Sequence, residues 1–385
     1  MAKKPNIIVF IDWYLPAYKA GGPIVSVKSM VAHLKAHFNF FIVTGDRDLG
    51  DIHPHPGISL DEWLTVDQIN VIYLSEKKQK LSTYRDLLSE IAYDYVYLNG
   101  VFSLKFTLLP LISLLLNGKD PNIIITPHGM LGPGALGIKK LKKLVFLSIT
   151  KVLGLFKKVI WHASNYSEAE DIEKVFGVKT QLNVIPHLPQ IYHTSSASKK
   201  EIGSVKFIYL SRVTEKKNLG FFLECLTEQF NGKIELNIYG LIDDSNYWKQ
   251  CKSIPIHSSV RLNYHGPLTP SHISEKLGEN HFFVLPTLHE NFGYAIIEAL
   301  SCGCPVILSS NTPWNDVEQF LGGWAQDLDT NKFRDIIRKC LNMNDSEYQE
   351  MRKKSVQYVK HKFDMGNIYN AYLEMFSKKH ESVKN

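Results

Sequence analysis

Two doubly wound α/β domains, each a parallel sheet with helices on both faces, are predicted by three observations. Short runs rich in Ile, Val, Tyr and Phe alternate with longer amphipathic stretches. The alternation breaks once, near residues 186–203, and then restarts. The chain is 385 residues long, which suits two domains better than one. With 44% hydrophobic and 21% charged residues, the composition is that of a globular enzyme and excludes a disordered or fibrous chain.

In the first half, segments 6–11, 38–44, 70–74, 95–99, 122–126 and 159–163 read as strands bounded by turn residues. Segments 24–35, 82–92, 104–116, 139–153 and 167–176 read as helices. Strands joined by crossover helices must run parallel, which predicts the layered architecture. The run Pro186-His187-Leu188-Pro189 leads into a Ser- and Lys-rich stretch, 193–203, that reads as a linker. Beyond it, strands are expected at 205–210, 233–239, 260–264, 281–286 and 305–309. Helices are expected at 218–229, 245–253, 271–277, 293–301, 332–341 and 346–361. The expected domains are thus 1–190 and 204–362, with a C-terminal helix at 366–385 packing back on the first.

The formal charge of +6 suits phosphate-bearing ligands, anionic lipid or nucleic acid without choosing among them. No aromatic–basic platform for nucleic acid is present. Five cysteines, Cys225, Cys251, Cys302, Cys304 and Cys340, lack C-x-x-C spacing and read as buried reduced thiols, not a disulfide framework or zinc site. The apolar run after Pro5 is interrupted by Asp12, too early for a signal peptide. No stretch reaches the ~18 apolar residues of a spanning helix. A cytoplasmic protein, at most peripheral to the membrane, is expected.

Chemistry concentrates at strand ends. The segment from His289 to Leu300 follows a strand and opens a helix. Gly293 permits close backbone approach, and the free N–H groups of a first helical turn favour a pyrophosphate. Glu290 stands just before this helix and Glu298 about two turns inside it, where carboxylates accept bidentate hydrogen bonds from vicinal hydroxyls. Arg212 and Lys217, after the first strand of the second half, are candidates to neutralise two phosphates, against the plainer reading of a solvated basic loop. Gly21 and Gly22 allow a tight anion-facing turn, and His128 ends the fifth strand before a glycine.

The segment 285–314, LPTLHENFGYAIIEALSCGCPVILSSNTPW, resembles the E-x(7)-E signature of glycosyltransferase family 4, retaining enzymes of the GT-B fold. The resemblance extends over nearly the whole chain, in the manner of bacterial surface-polysaccharide enzymes. It implies two Rossmann-like domains facing a cleft, the first for the acceptor and the second for a nucleotide sugar. It implies that Glu290 contacts the donor sugar and Glu298 the ribose. The amides of Asn291, Phe292 and Gly293 would approach sugar and phosphates, Arg212 and Lys217 would hold the pyrophosphate, and Gly21 and Gly22 would face it. His128 would lie near the reacting centre, as a sugar contact and not a general base. The implied function is retaining transfer of a hexose from a UDP- or GDP-sugar to a glycan or lipid-linked acceptor, without a metal or other cofactor. The alternatives are a nucleotide-sugar epimerase of the same fold and a non-catalytic nucleotide-sugar-binding protein.

Three further segments are less direct. Residues 162–170 resemble a family strand-to-helix turn, with Ser164 as the expected cap. Gly132-Pro133-Gly134-Ala135-Leu136-Gly137 fits G-x-G-x-x-G, but Pro133 and the absence of an acidic residue ~20 positions on argue against a dinucleotide turn. Asp243-Asp244 reads as an acidic helix-capping loop and not a metal pair. Residues 139–158 carry seven lysines and no acid. They read either as an ordinary helix with a solvated lysine face or as a peripheral contact with anionic membrane.

Overall fold

The computed structural model describes residues 4–117, 122–137, 139–177, 181–192 and 198–377. The chain divides into two compact units, Met1–Leu188 with Met365–Asn385, and Pro189–Asp364.

The first unit runs β1 (Asn6–Phe10), α1 (Gly22–Leu34), β2 (Asn39–Gly45), β3 (Trp63–Val66), β4 (Ile69–Leu74), α2 (Leu81–Glu90) and β5 (Tyr95–Asn99). It continues with α3 (Leu109–Leu116), β6 (Asn122–Thr126), α4 (Pro133–Gly137), α5 (Lys140–Val152), β7 (Val159–Ala163), α6 (Tyr166–Phe176) and β8 (Leu182–Val184). The sheet order is β3-β4-β2-β1-β5-β6-β7-β8, parallel except for β3. Central β1, β5 and β7 are buried almost throughout because helices cover both faces, which is why they read as continuous apolar runs. The order reverses between β1 and β5, so the loops after β1 and its neighbours open onto the switch-point crevice of this sheet.

The second unit runs β9 (Ser204–Leu210), α7 (Leu219–Cys225), β10 (Lys233–Tyr239), α8 (Ser245–Ser253), β11 (Val260–Gly266), α9 (Ile273–Glu279) and β12 (Phe282–Leu285). It ends with α10 (Tyr294–Ser301), β13 (Val306–Ser309), β14 (Gly323–Gln326), α11 (Thr330–Asn342) and α12 (Asp345–Lys362). The order β11-β10-β9-β12-β13-β14 is parallel throughout and reverses between β9 and β12. The loops carrying Arg212 to Lys217 and residues 286–293 leave those two strands side by side. The final helix, α13 (Met365–Met375), packs on the first unit, where Phe376 lies 5.5 Å from Phe38 and 5.6 Å from Tyr95 between ring centroids.

Several expectations shift. β3, β8 and β14 are strands that the apolar pattern did not reveal; each is at most four residues long and lies at a sheet edge. The 104–116 helix opens with a π-helical turn, Leu104–Leu108, so that Pro110 falls at the start of α3, where no N–H is needed. Of the expected linker, 193–197 lie outside the described residues, while the remainder is docked. Buried Lys200 donates to the carbonyls of Glu201 (2.7 Å) and Met343 (3.2 Å), and its amide donates to Asp345. All five cysteines are buried and unpaired in disulfides.

Candidate functional site

In the second unit the two switch-point loops are stitched together. The Lys216 carbonyl accepts from Thr287 Oγ1 (2.9 Å) and from the Leu288 amide (2.8 Å). The Glu290 amide donates to Asn311 O at 3.0 Å, which fixes the chain beside β13. Lys217 Nζ donates to Glu290 Oε2 in an ion pair whose two side chains are about five-sixths buried. Burial pushes the Glu290 carboxyl up, but Lys217, Lys216 and the Asn291 amide outweigh it and hold its pKa below the ordinary value. At neutral pH this carboxylate is therefore charged and an acceptor only.

Gly293 enters α10 with φ 85° and ψ 56°. A Cβ there would lie 2.8 Å from Ile296 Cδ1 and 3.0 Å from Trp314 Nε1, so both backbone and space require glycine. Trp314 Nε1 donates to Phe292 O at 2.8 Å and locks the turn from behind. The Phe292 ring points inward, against Tyr294 (4.8 Å) and Phe363 (5.8 Å). Glu298 is 6% exposed on α10, in the company of Tyr192 and Ser301. The Tyr192 amide donates to Ser301 Oγ at 3.2 Å, while burial and then the Glu298 charge push the Tyr192 hydroxyl far up. Arg212 instead turns to Asp243 (2.8 Å), an exposed pair of little energetic weight. Asp244 caps α8 through the amides of Asn246 and Tyr247.

In the first unit Gly21 has φ 71° and precedes α1, whose first turn begins at Gly22. The Asp48 carboxylate accepts from the amides of Tyr18 (2.9 Å) and Lys19 (3.2 Å), pinning the approach to this turn. Farther along α1, Ser26 Oγ meets His187 Nδ1 at 3.3 Å, and the His187 ring stacks on His128 with centroids 4.8 Å apart. Gly21 and Gly22 follow β1 and His128 follows β6, so all three lie at the carboxyl ends of parallel strands in this sheet.

His128 and Gly129 are both left-handed, at φ 51° and 70°. The His128 backbone is strained for a residue with a Cβ. Glu168 holds this turn: its buried carboxylate accepts from the amides of Gly129 (2.5 Å) and Ser164 (2.7 Å) and from Ser164 Oγ (2.7 Å). The cap of α6 is Asn165, which accepts from the Glu168 amide, and not the expected Ser164, whose hydroxyl is spent on Glu168. Sequence reasoning missed Glu168 as a brace. The only local sign is an Asn three residues before a Glu, the spacing of a capping box.

His128 Nε2 is buried without a hydrogen-bond partner among the described residues, an atom left for a ligand or a ring movement to satisfy. His162 is fixed as a neutral tautomer: Nε2–H donates to Ile185 O and Nδ1 accepts from Tyr97 Oη, both at 2.8 Å. Burial lowers the pKa of His128 to about 3 and of His162 to about 4, and that of His187 well below the ordinary value. A histidine depressed in the folded state favours unfolding as pH falls below its unfolded pKa of ~6.5. The loss continues until the folded pKa is reached, near 4 for His162. For buried His162 the loss should be about 1.4 kcal/mol for each pH unit between ~6 and its folded pKa, and buried His187 should add to it in the same direction. Denaturant midpoints at pH 7.5, 6.5 and 5.5 check this, where few carboxylates titrate; identical midpoints would refute it. Among the described residues no group of three or more His, Cys, Asp or Glu is placed to hold a metal.

Residues 204–342 match the family described as Glycosyl transferases group 1. Over 198 residues the chain is 27% identical to the GDP-mannose:cellobiosyl-diphosphopolyprenol alpha-mannosyltransferase of Komagataeibacter xylinus, covering 50% of this chain and 48% of the relative. Over 189 residues it is 26% identical to the 2-deoxystreptamine N-acetyl-D-glucosaminyltransferase of Niallia circulans, covering 47% of each. The chain spans about half the length of these curated relatives. It is similar in structure to Anabaena HepE in complex with UDP-glucose, with TM-score 0.71, 15% identity, and coverage of 97% of this chain and 99% of that one. The chain thus has the GT-B fold of two Rossmann-like units, and the greater part of its second unit matches the group 1 glycosyl transferases.

Proposed function

We propose that this protein is a retaining glycosyltransferase that moves a hexose from a UDP- or GDP-sugar to a glycan or lipid-linked acceptor in surface-polysaccharide or glycolipid assembly. The observation that carries this reading is the Lys217–Glu290 pair beside the glycine entry of α10. A buried cation and an ionised carboxylate are held at the switch point of the sheet, in front of a helix start, where a sugar diphosphate binds best. In this reading Lys217 and Arg212 take the diphosphate, and Arg212 leaves Asp243 to do so. Glu290 accepts from donor-sugar hydroxyls and Glu298 from the ribose diol. The amides of Asn291, Phe292 and Gly293 line the approach. The relatives named above support a nucleotide-sugar donor, one using GDP-mannose and another bound to UDP-glucose.

Departure of the nucleoside diphosphate builds negative charge on its terminal phosphate, which mostly buried Lys217 and a reoriented Arg212 stabilise. Retention follows if the acceptor attacks from the face that the phosphate leaves, the phosphate taking the acceptor's proton. The assignments of Gly21, Gly22 and His128 rest on the resemblance. Neutral His128 would offer a hydrogen bond to the sugar and not a proton from an imidazolium. No metal or other cofactor enters this mechanism.

A thermal-shift screen of UDP-, GDP- and ADP-sugars tests the donor site. One nucleotide class should raise the melting temperature, because a ligand that binds only the folded state stabilises by ~2.7 kcal/mol at a hundredfold its Kd. Arg212→Ala and Glu298→Ala should blunt the response. A shift unaltered by both variants would place the nucleotide elsewhere. Release of diphosphate and a new glycosidic bond on an added acceptor separate a transferase from an epimerase or a binding protein.

A further inference from the structure

The sequence of α5 reads either as a helix with a solvated lysine face or as a peripheral contact with anionic membrane, and the structure adds an exposed apolar stripe between the lysines. The buried side of this helix is Leu147 and Thr150, with Phe146 packed on Phe102 at 5.4 Å between centroids. Lys143 belongs to the inward side: its Nζ donates to Ala135 O at 2.6 Å and lies 5.1 Å over the Phe102 ring. At ~100° per residue, Leu141, Leu144, Val145, Ser148, Ile149 and Val152 fall on one arc of about 140° on the opposite, outward side. That arc is open to solvent: Leu141 is 76% exposed, Leu144 46%, Val145 51%, Ile149 54% and Val152 86%, and Leu153 follows at 64%. Contiguous aliphatic side chains on a water-facing helix stripe mark an interaction surface.

The lysines rim the stripe. Lys140 and Lys151 lie on one flank and Lys142 on the other, all exposed, while Lys139, Lys157 and Lys158 stand exposed just beyond the helix ends. From Pro121 to Ser167 there is no Asp or Glu. An apolar stripe between cationic rows matches a helix lying in a lipid–water interface, with the stems in the acyl boundary and the ammonium groups at phosphate level. A second copy docked face to face would oppose lysine to lysine, which charge disfavours.

We propose that α5 is a monotopic membrane-docking helix that inserts Leu141, Val145, Ile149 and Val152 into an anionic lipid surface. The apolar stripe provides the anchoring, and the lysine rows select the surface charge. This rests on α5 alone and does not depend on the transferase reading.

The test uses the full chain with vesicles of phosphatidylcholine alone or with about a third phosphatidylglycerol. Wild type should float with the anionic vesicles and weaken in high salt. The triple variant Leu141→Gln/Val145→Gln/Ile149→Gln should lose at least tenfold in partitioning at an unchanged melting temperature, because the three side chains are already exposed. Lys140→Gln/Lys142→Gln/Lys151→Gln should lose the preference for anionic over neutral vesicles. Because the native cysteines are all buried, Val152→Cys can be labelled with a polarity-sensitive bimane, and its emission should shift to the blue only with anionic vesicles. Failure of wild type to float, unchanged flotation of the Leu/Val/Ile triple, or an unshifted label overturns the proposal. So does a triple that instead changes the sedimenting mass without lipid, since the occupant would then be another copy.

Discussion

Glu290→Gln should lower sugar transfer by about 100-fold or more, with nucleotide affinity changed far less. The expected size is that of removing one preorganised charged group from a reacting centre. The glutamine keeps the volume and one acceptor oxygen but loses the charge that Lys217 neutralises. Transfer rates under saturating donor, set beside nucleoside-diphosphate binding by calorimetry, separate the two effects. Transfer within about threefold of wild type would mean that Glu290 does not meet the sugar. The partner substitution, Lys217→Met, leaves a mostly buried carboxylate unpaired and should destabilise by ~3 kcal/mol. Because Lys217 is part of what holds the Glu290 carboxyl low, that variant should also raise the pKa of Glu290. In Lys217→Met/Glu290→Gln much of the stability should return while transfer stays lost, which distinguishes a structural ion pair from a catalytic one.

The largest stability loss is expected from Glu168→Ala. Its carboxylate satisfies three donors, the amides of Gly129 and Ser164 and the Ser164 hydroxyl, in a place that water does not reach. Leaving buried donors unsatisfied costs ~1–3 kcal/mol each, so a loss of about 4 kcal/mol is expected, after allowing for relaxation. Glu168→Gln keeps the shape and should cost less than half of that. If His128 acts as proposed, Glu168→Gln should still lower kcat with little change in KM, because one of the two accepting oxygens becomes a donor and the tether of the left-handed His128-Gly129 turn weakens. Urea melts of both variants, with kinetics on Glu168→Gln, decide the matter. Equal stability of all three proteins would show that the turn holds itself.

Most of the architecture was legible because central parallel strands are buried on both faces and must be apolar throughout. Segments 95–99, 122–126, 159–163 and 233–239 coincide with β5, β6, β7 and β10. Edge strands have no such requirement. β3 is four residues with no buried position and half of them exposed, and β8 is three residues of partial burial, so neither leaves a periodic trace. α7 stops at Cys225, short of the expected 229, because the next residues turn and the side chain of Arg334 binds the Glu224 and Cys225 carbonyls. A contact made across more than a hundred residues is invisible in a local pattern.

The candidate site divides in the same way. Glu290, Gly293 and Glu298 are spaced by one strand–turn–helix segment, so local sequence determines their relation. That Lys217 reaches Glu290 is decided by the adjacency of β9 and β12, which only the sheet order establishes. The brace at Glu168 joins residues 39 positions apart and follows from β6 lying beside β7. In α5 the sequence determined an amphipathic, acid-free helix, but its period is compatible with burying either apolar arc. Packing against Phe102 buried one arc and left the other to solvent, because a helix has two sides and a single core can cover only one.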